Sequence, residues 1–169
     1  MKNFTTPILV LFLLLVIAIV GNIILSTIGI FYNSDIFNTG IYSGTEASIN
    51  IKLIFIAKSF ALITFIIGVY ALINKSKYLI KRDFFNLKLI KGFSKSGKLF
   101  LFSGIVGFIT SLIEILNLII LNDFSSQAYL NIDSKSLYIM LMIMGLFLLL
   151  FSKVLSKGGE IQQENDLTI

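Results

Sequence analysis

Residues 8–30 read ILVLFLLLVIAIVGNIILSTIGI. This stretch carries no Asp, Glu, Lys or Arg, and it exceeds the roughly 20 residues that a helix needs to cross hydrocarbon. Three more nearly uncharged blocks follow, at 51–73, 99–121 and 137–155. In lipid an unpaired backbone N–H or C=O costs several kcal/mol, so each block must satisfy its own hydrogen bonds as a helix. A barrel would show alternating strands of about ten residues, and none is visible. The composition agrees, with 56% hydrophobic residues against roughly 45–50% in soluble domains. The mean hydropathy is +0.93. These readings predict an all-α integral membrane bundle of four transmembrane helices, built as one domain over residues 1–169.

Lys2 and Pro7 precede the first block, which raises the question of a cleaved signal peptide. The block is too long for a signal core and no small-residue cleavage site follows it, so it reads as a retained first helix. A polar stretch rich in Asn, Ser, Thr and Gly, residues 32–50, has loop chemistry. A shorter loop, 122–136, carries Asp123 and Asp133.

Charge sets the expected orientation. The loop 74–98 holds Lys75, Lys77, Lys81, Arg82, Lys88, Lys91, Lys95 and Lys98 against one acid, Asp83. With Lys2, Lys153 and Lys157, this puts most of the 14 basic residues on one side. An excess of Lys and Arg marks the cytoplasmic face. The N-terminus, the C-terminus, the basic loop 74–98 and the tail 156–169 are therefore expected to be cytoplasmic. The net charge of +5 has this topological explanation, and direct nucleic-acid binding is not expected.

Cysteine and histidine are absent. That removes disulfides, thiolate-held metals and every nucleophile that depends on a His base. No metal or cofactor is expected. The best acids, Glu114, Asp123 and Asp133, lack the paired spacing of hydrolysis or group transfer, so no catalytic residue is assigned.

Polar residues inside the spans are the candidate site. Glu114 and Lys58 lie on antiparallel spans, and a rise of 1.5 Å per residue places both about 5–8 Å outside the midplane. Asn117 is one turn beyond Glu114, and Asn22 on the first span falls at a similar depth. An intramembrane charge usually faces a partner or a cavity. One reading is a Lys58–Glu114 ion pair that locks helices together. Another is an outward-facing pocket for a small ligand, an ion or a proton. In a third, Lys58 snorkels outward and leaves Glu114 alone.

Small residues at four-residue spacing, Ser103, Gly107 and Ser111 on the third span, with Ala57, Ala61, Thr64 and Gly68 on the second, predict close packing. In the basic loop, Lys88, Lys91, Lys95 and Lys98 share one helical face, with Phe84, Leu87, Ile90 and Phe93 mainly on another. Such a helix is expected to lie in the headgroup layer with its apolar side down. There Lys81, Arg82 and those lysines would meet anionic lipid or a partner. In the tail, Gly158 and Gly159 are expected to end the fourth helix. Beyond them a polar peptide with Glu164, Asp166, Leu167, Thr168 and Ile169 is either a docking segment or a disordered stub.

The ending 158–169, GGEIQQENDLTI, resembles the terminal signature of the YoaS-like bacterial membrane proteins, a family of unknown function. Asp83-Phe84-Phe85-Asn86 is loosely similar to that family's Pro-Phe and Glu-Asn element, without its proline and glutamate. The similarity in layout covers nearly the whole chain. It implies a multi-pass protein of the bacterial inner membrane, encoded beside a small helix-turn-helix regulator, and it carries over no catalytic residue. The leading expectation is a non-enzymatic membrane regulator that docks such a transcription factor. The alternative is a small transporter or ion-conducting protein that uses Glu114 and Lys58.

Overall fold

A computed structural model describes residues 5–32, 49–80, 83–120 and 132–167. All regular structure among them is helical: α1 (Thr5–Tyr32), α2 (Ile49–Ile80), α3 (Leu87–Ile120) and α4 (Ile132–Leu167). All four helices are long and apolar enough to cross a membrane. The two loops expected at 32–50 and 122–136 fall mostly outside the described residues.

Local chemistry sets the helix ends. Pro7 sits in the first turn of α1, where its missing N–H leaves no helical bond unmade. Between α2 and α3 the Asp83 N–H donates to the Tyr78 carbonyl, at 3.1 Å. Asn86 then caps α3: its Oδ1 accepts from the Lys88 N–H at 2.9 Å, and its Nδ2 donates to the Asp83 carboxylate at 2.6 Å.

Among the described residues the helices pack in chain order, with α3 between α2 and α4, and α1 against α2 alone. None of the Pro7–Leu25 stretch of α1 is buried. Its contact with α2 includes the rings of Phe12 and Tyr70, 6.2 Å apart. The α3–α4 seam is far closer. A Cβ on Gly97 would stand 2.8 Å from the Gly145 carbonyl oxygen, and one on Gly145 would stand 2.7 Å from the Leu101 nitrogen. Only glycine lets the two backbones approach this far. The Ser152 hydroxyl donates to the Ile90 carbonyl across the same seam, at 3.0 Å. Toward α2, the Ser103 hydroxyl donates to the Ala61 carbonyl at 2.7 Å.

Two expectations are corrected at the basic end. Among the described residues of 74–98 the chain is mainly helical, as the ends of α2 and α3, with no separate surface helix. α2 continues to Ile80 and α3 begins at Leu87, so only a few residues make the turn. Ile90 and Phe93, expected to face lipid, are instead buried. Phe93 joins a core of Leu89, Phe100 and Leu148, flanked by Phe65, Val69, Leu72 and Leu155. Ile90 and Phe93 have a protein partner because α4, at 36 residues, is long enough to follow the segment, whereas Phe84 and Leu87 of the same expected face stay exposed. That length is the second correction. Gly158 and Gly159 do not end α4, which runs on helically to Leu167. Both glycines lie beneath the Phe85 ring, and a Cβ on Gly158 would stand 2.5 Å from it. A helix that already exists extends without a nucleation cost, so two glycines lower its stability without stopping it.

Candidate functional site

The half of the α2–α3 interface away from the basic end holds an ion pair. The Lys58 ammonium donates to the Glu114 carboxylate at 2.5 Å. The side chains are 21% and 12% exposed, so both charges are largely withdrawn from the surface. Antiparallel packing is what brings together residues 56 positions apart in sequence. One turn before Glu114, the hydroxyl of Ser111 is fully buried and has no hydrogen-bond partner among the described residues. Tyr138 of α4 is buried nearby, its ring against Gly107 of α3.

This arrangement realises the ion-pair reading, with each charge meeting its opposite on the neighbouring helix. Taking two charges out of water is costly, and a pair of this kind fixes helix register more than it adds stability. Asn22 is exposed on α1. The Asn117 side chain lies outside the described residues, although its backbone continues α3.

The basic residues form a second group. Lys88, Lys91, Lys95 and Lys98 are all exposed along α3, on the side away from the core. Lys153 and Lys157 are exposed on α4. Lys81 and Arg82 lie outside the described residues. In the tail, Glu160, Ile161 and Glu164 are exposed on the last turns of α4, and Leu167 is 87% exposed at its end. The side chain of Asp166, and all of Thr168 and Ile169, lie outside the described residues.

Sequence reasoning missed Tyr138 and the α4 side of the seam. A signal for the seam was present. Small residues recur in pairs at seven-residue steps on α3, as Ser96-Gly97, Ser103-Gly104 and Thr110-Ser111, and all six are buried. A seven-residue repeat keeps one stripe facing a neighbour along a left-handed crossing. Four-residue spacing caught only part of this pattern. Nothing in the sequence marks Tyr138, because an aromatic near the end of an apolar span is ordinary interface chemistry.

The model of a family of proteins of unknown function, DUF2975, matches residues 7–169. The chain belongs to the DUF2975 family. That match spans all four helices. No curated protein and no solved structure matches the chain. The family description assigns no activity, so the reading of this DUF2975 protein rests on its residues.

Proposed function

We propose that this DUF2975 protein is a non-enzymatic regulator in the bacterial inner membrane, holding a small cytoplasmic helix-turn-helix transcription factor. The observation that carries this reading is the continuation of α4. Its last turns, beyond the Phe85 contact, expose Glu160, Ile161, Glu164 and Leu167. A short helix with apolar and acidic positions at these spacings suits a groove on a partner. The basic residues at the same end favour the cytoplasmic side. The resemblance to the YoaS-like proteins, with their neighbouring regulator gene, supplies the partner class.

Co-purification of the tagged chain with the helix-turn-helix protein encoded beside it tests this reading. The full-length chain should retain that protein, and a chain ending at Glu160 should lose it. Glu164→Lys with Leu167→Ser in the intact chain should lose it too. Equal retention by all three forms would remove the docking role from the tail.

The transport reading has less support. Lys58 and Glu114 satisfy each other, which suits a packing role. If Glu114→Gln abolished a solute flux in liposomes while the protein stayed folded, transport would become the better reading.

A further inference from the structure

Lys75 of α2 is directed at α3. It continues the positions Ala61 and Gly68 at seven-residue steps, and all three meet α3. Ala61 accepts from the Ser103 hydroxyl, Gly68 lies beneath Phe100, and Lys75 crosses Gly92. A seven-residue step keeps one stripe toward a neighbouring helix. The Lys75 methylenes take the place of the side chain that Gly92 lacks, because a Cβ there would stand 2.6 Å from Lys75 Cγ and 2.9 Å from its Cβ.

On a helix surface the neighbours of a residue lie three and four positions away. For Gly92 these include Lys88 and Lys95, both exposed. Packing of α2 on α3 therefore sets the half-buried stem of Lys75 between the two lysines and gathers three ammonium groups on one patch. Asp83, the acid of the nearby turn, accepts from the Asn86 amide. Among the described residues no acid pairs with Lys75, Lys88 or Lys95. Like charges at this spacing repel, and an anion seated among them turns that repulsion into attraction.

The stripe of Lys88 and Lys95 continues into the span, seven residues on, as Phe102, which is 48% exposed. Phe60 of α2 stands edge-on to Phe102, with centroids 6.2 Å apart, and Ile67 follows Phe60 on the same exposed stripe of α2. Lysine patch and apolar surface thus share one side of the α2–α3 seam. Lys75 lies two residues past Ile73, the end of the apolar block of α2, which puts the patch at headgroup level.

We infer that this side of the α2–α3 seam binds one anionic phospholipid. Lys75, Lys88 and Lys95 hold its phosphate, and an acyl chain lies along Phe102, Ile67 and Phe60. Apolar surface running on from the cations is what favours a lipid over a free phosphate. The site uses no part of the α4 tail, so it stands whether or not a regulator docks there.

Native mass spectrometry of the full-length protein in non-ionic detergent, with phosphatidylglycerol or phosphatidylcholine added, tests the site. Wild type should retain phosphatidylglycerol about tenfold better than phosphatidylcholine. Lys75→Gln with Lys95→Gln should remove most of that preference. Lys153→Gln with Lys157→Gln takes the same charge from the same end, on α4, and should keep it. Equal loss in the two pairs, or no loss in the first, would overturn the site. Lys88→Gln with Lys95→Gln leaves the Lys75 stem over Gly92, so its thermal midpoint should match wild type while the preference still falls. Ile67→Ser with Phe102→Ser should weaken retention about threefold, and glycerol 3-phosphate should not compete. Competition by glycerol 3-phosphate, or undiminished retention in the Ile67 and Phe102 pair, would overturn the lipid in favour of a bare phosphate.

Discussion

Lys58 and Glu114 show how one contact can dominate a helix pair. With both present, each charge is answered at 2.5 Å. Removing one leaves the other unpaired at a largely buried position, the case in which buried pairs are costly to break. Lys58→Met should therefore destabilise the protein by about 3 kcal/mol. Lys58→Met combined with Glu114→Leu should recover most of that loss. Thermal unfolding in detergent checks both, and a double variant no better than the single one would mean that the pair does more than pack. Hydroxyls offer a finer comparison. Ser103 donates across to the Ala61 carbonyl, so Ser103→Ala should lose about 0.5–1.5 kcal/mol. Ser96 is buried with no partner among the described residues, so Ser96→Ala should be neutral or stabilising. The sequence marked Lys58 and Glu114 because a charge in an apolar span needs a reason, and Ser103 as a small residue at packing spacing. It could not rank them, since a partner chosen by packing leaves no trace in local spacing.

At the scale of the element, α3 organises the molecule through its small residues. Gly97 and Gly104 meet α4, and Gly68 of α2 lies beneath Phe100 of α3. Gly145→Ala should force the α3 and α4 backbones apart and lower stability by about 1–3 kcal/mol, the cost expected for overpacking. By contrast, nothing lies within 4 Å of a Cβ placed on Gly21 of α1, so Gly21→Ala should be harmless or slightly stabilising. The two variants share a chemical change, so their thermal midpoints compare the close seam with the open one. Helix type and approximate span positions were legible from apolar block length alone. The helix ends were not. Residues 87–98 look like an interfacial helix in isolation, because a sequence does not say whether an apolar face will meet lipid or protein. The Gly158-Gly159 pair misled for a related reason, since a cap signal is only a local preference and Phe85 packs over it.

The whole molecule is a row of antiparallel helices with an open outer member. α2, α3 and α4 share a core at the basic end, while α1 contributes mainly exposed apolar surface. The chain has no cysteine, so single-cysteine labelling can report its orientation directly. A cysteine at Gln162 should react with an impermeant reagent only after the inner membrane is opened. One at Ser43 should react in intact spheroplasts. Labelling of Gln162→Cys from outside would reverse the orientation expected from the lysines. Reading the residues alone was enough to establish a helical chain with four segments fit to cross a membrane and its positive charge concentrated at one end. Those properties depend on hydrocarbon thickness, backbone hydrogen bonding and charge, all of which act on each segment independently. Packing, and nothing legible in any one segment, settled which helix lies between which, that Lys58 meets Glu114, and that α4 runs on against Phe85 at the basic end. These are relations between segments, set by where small residues let backbones approach and large ones fill the space between them.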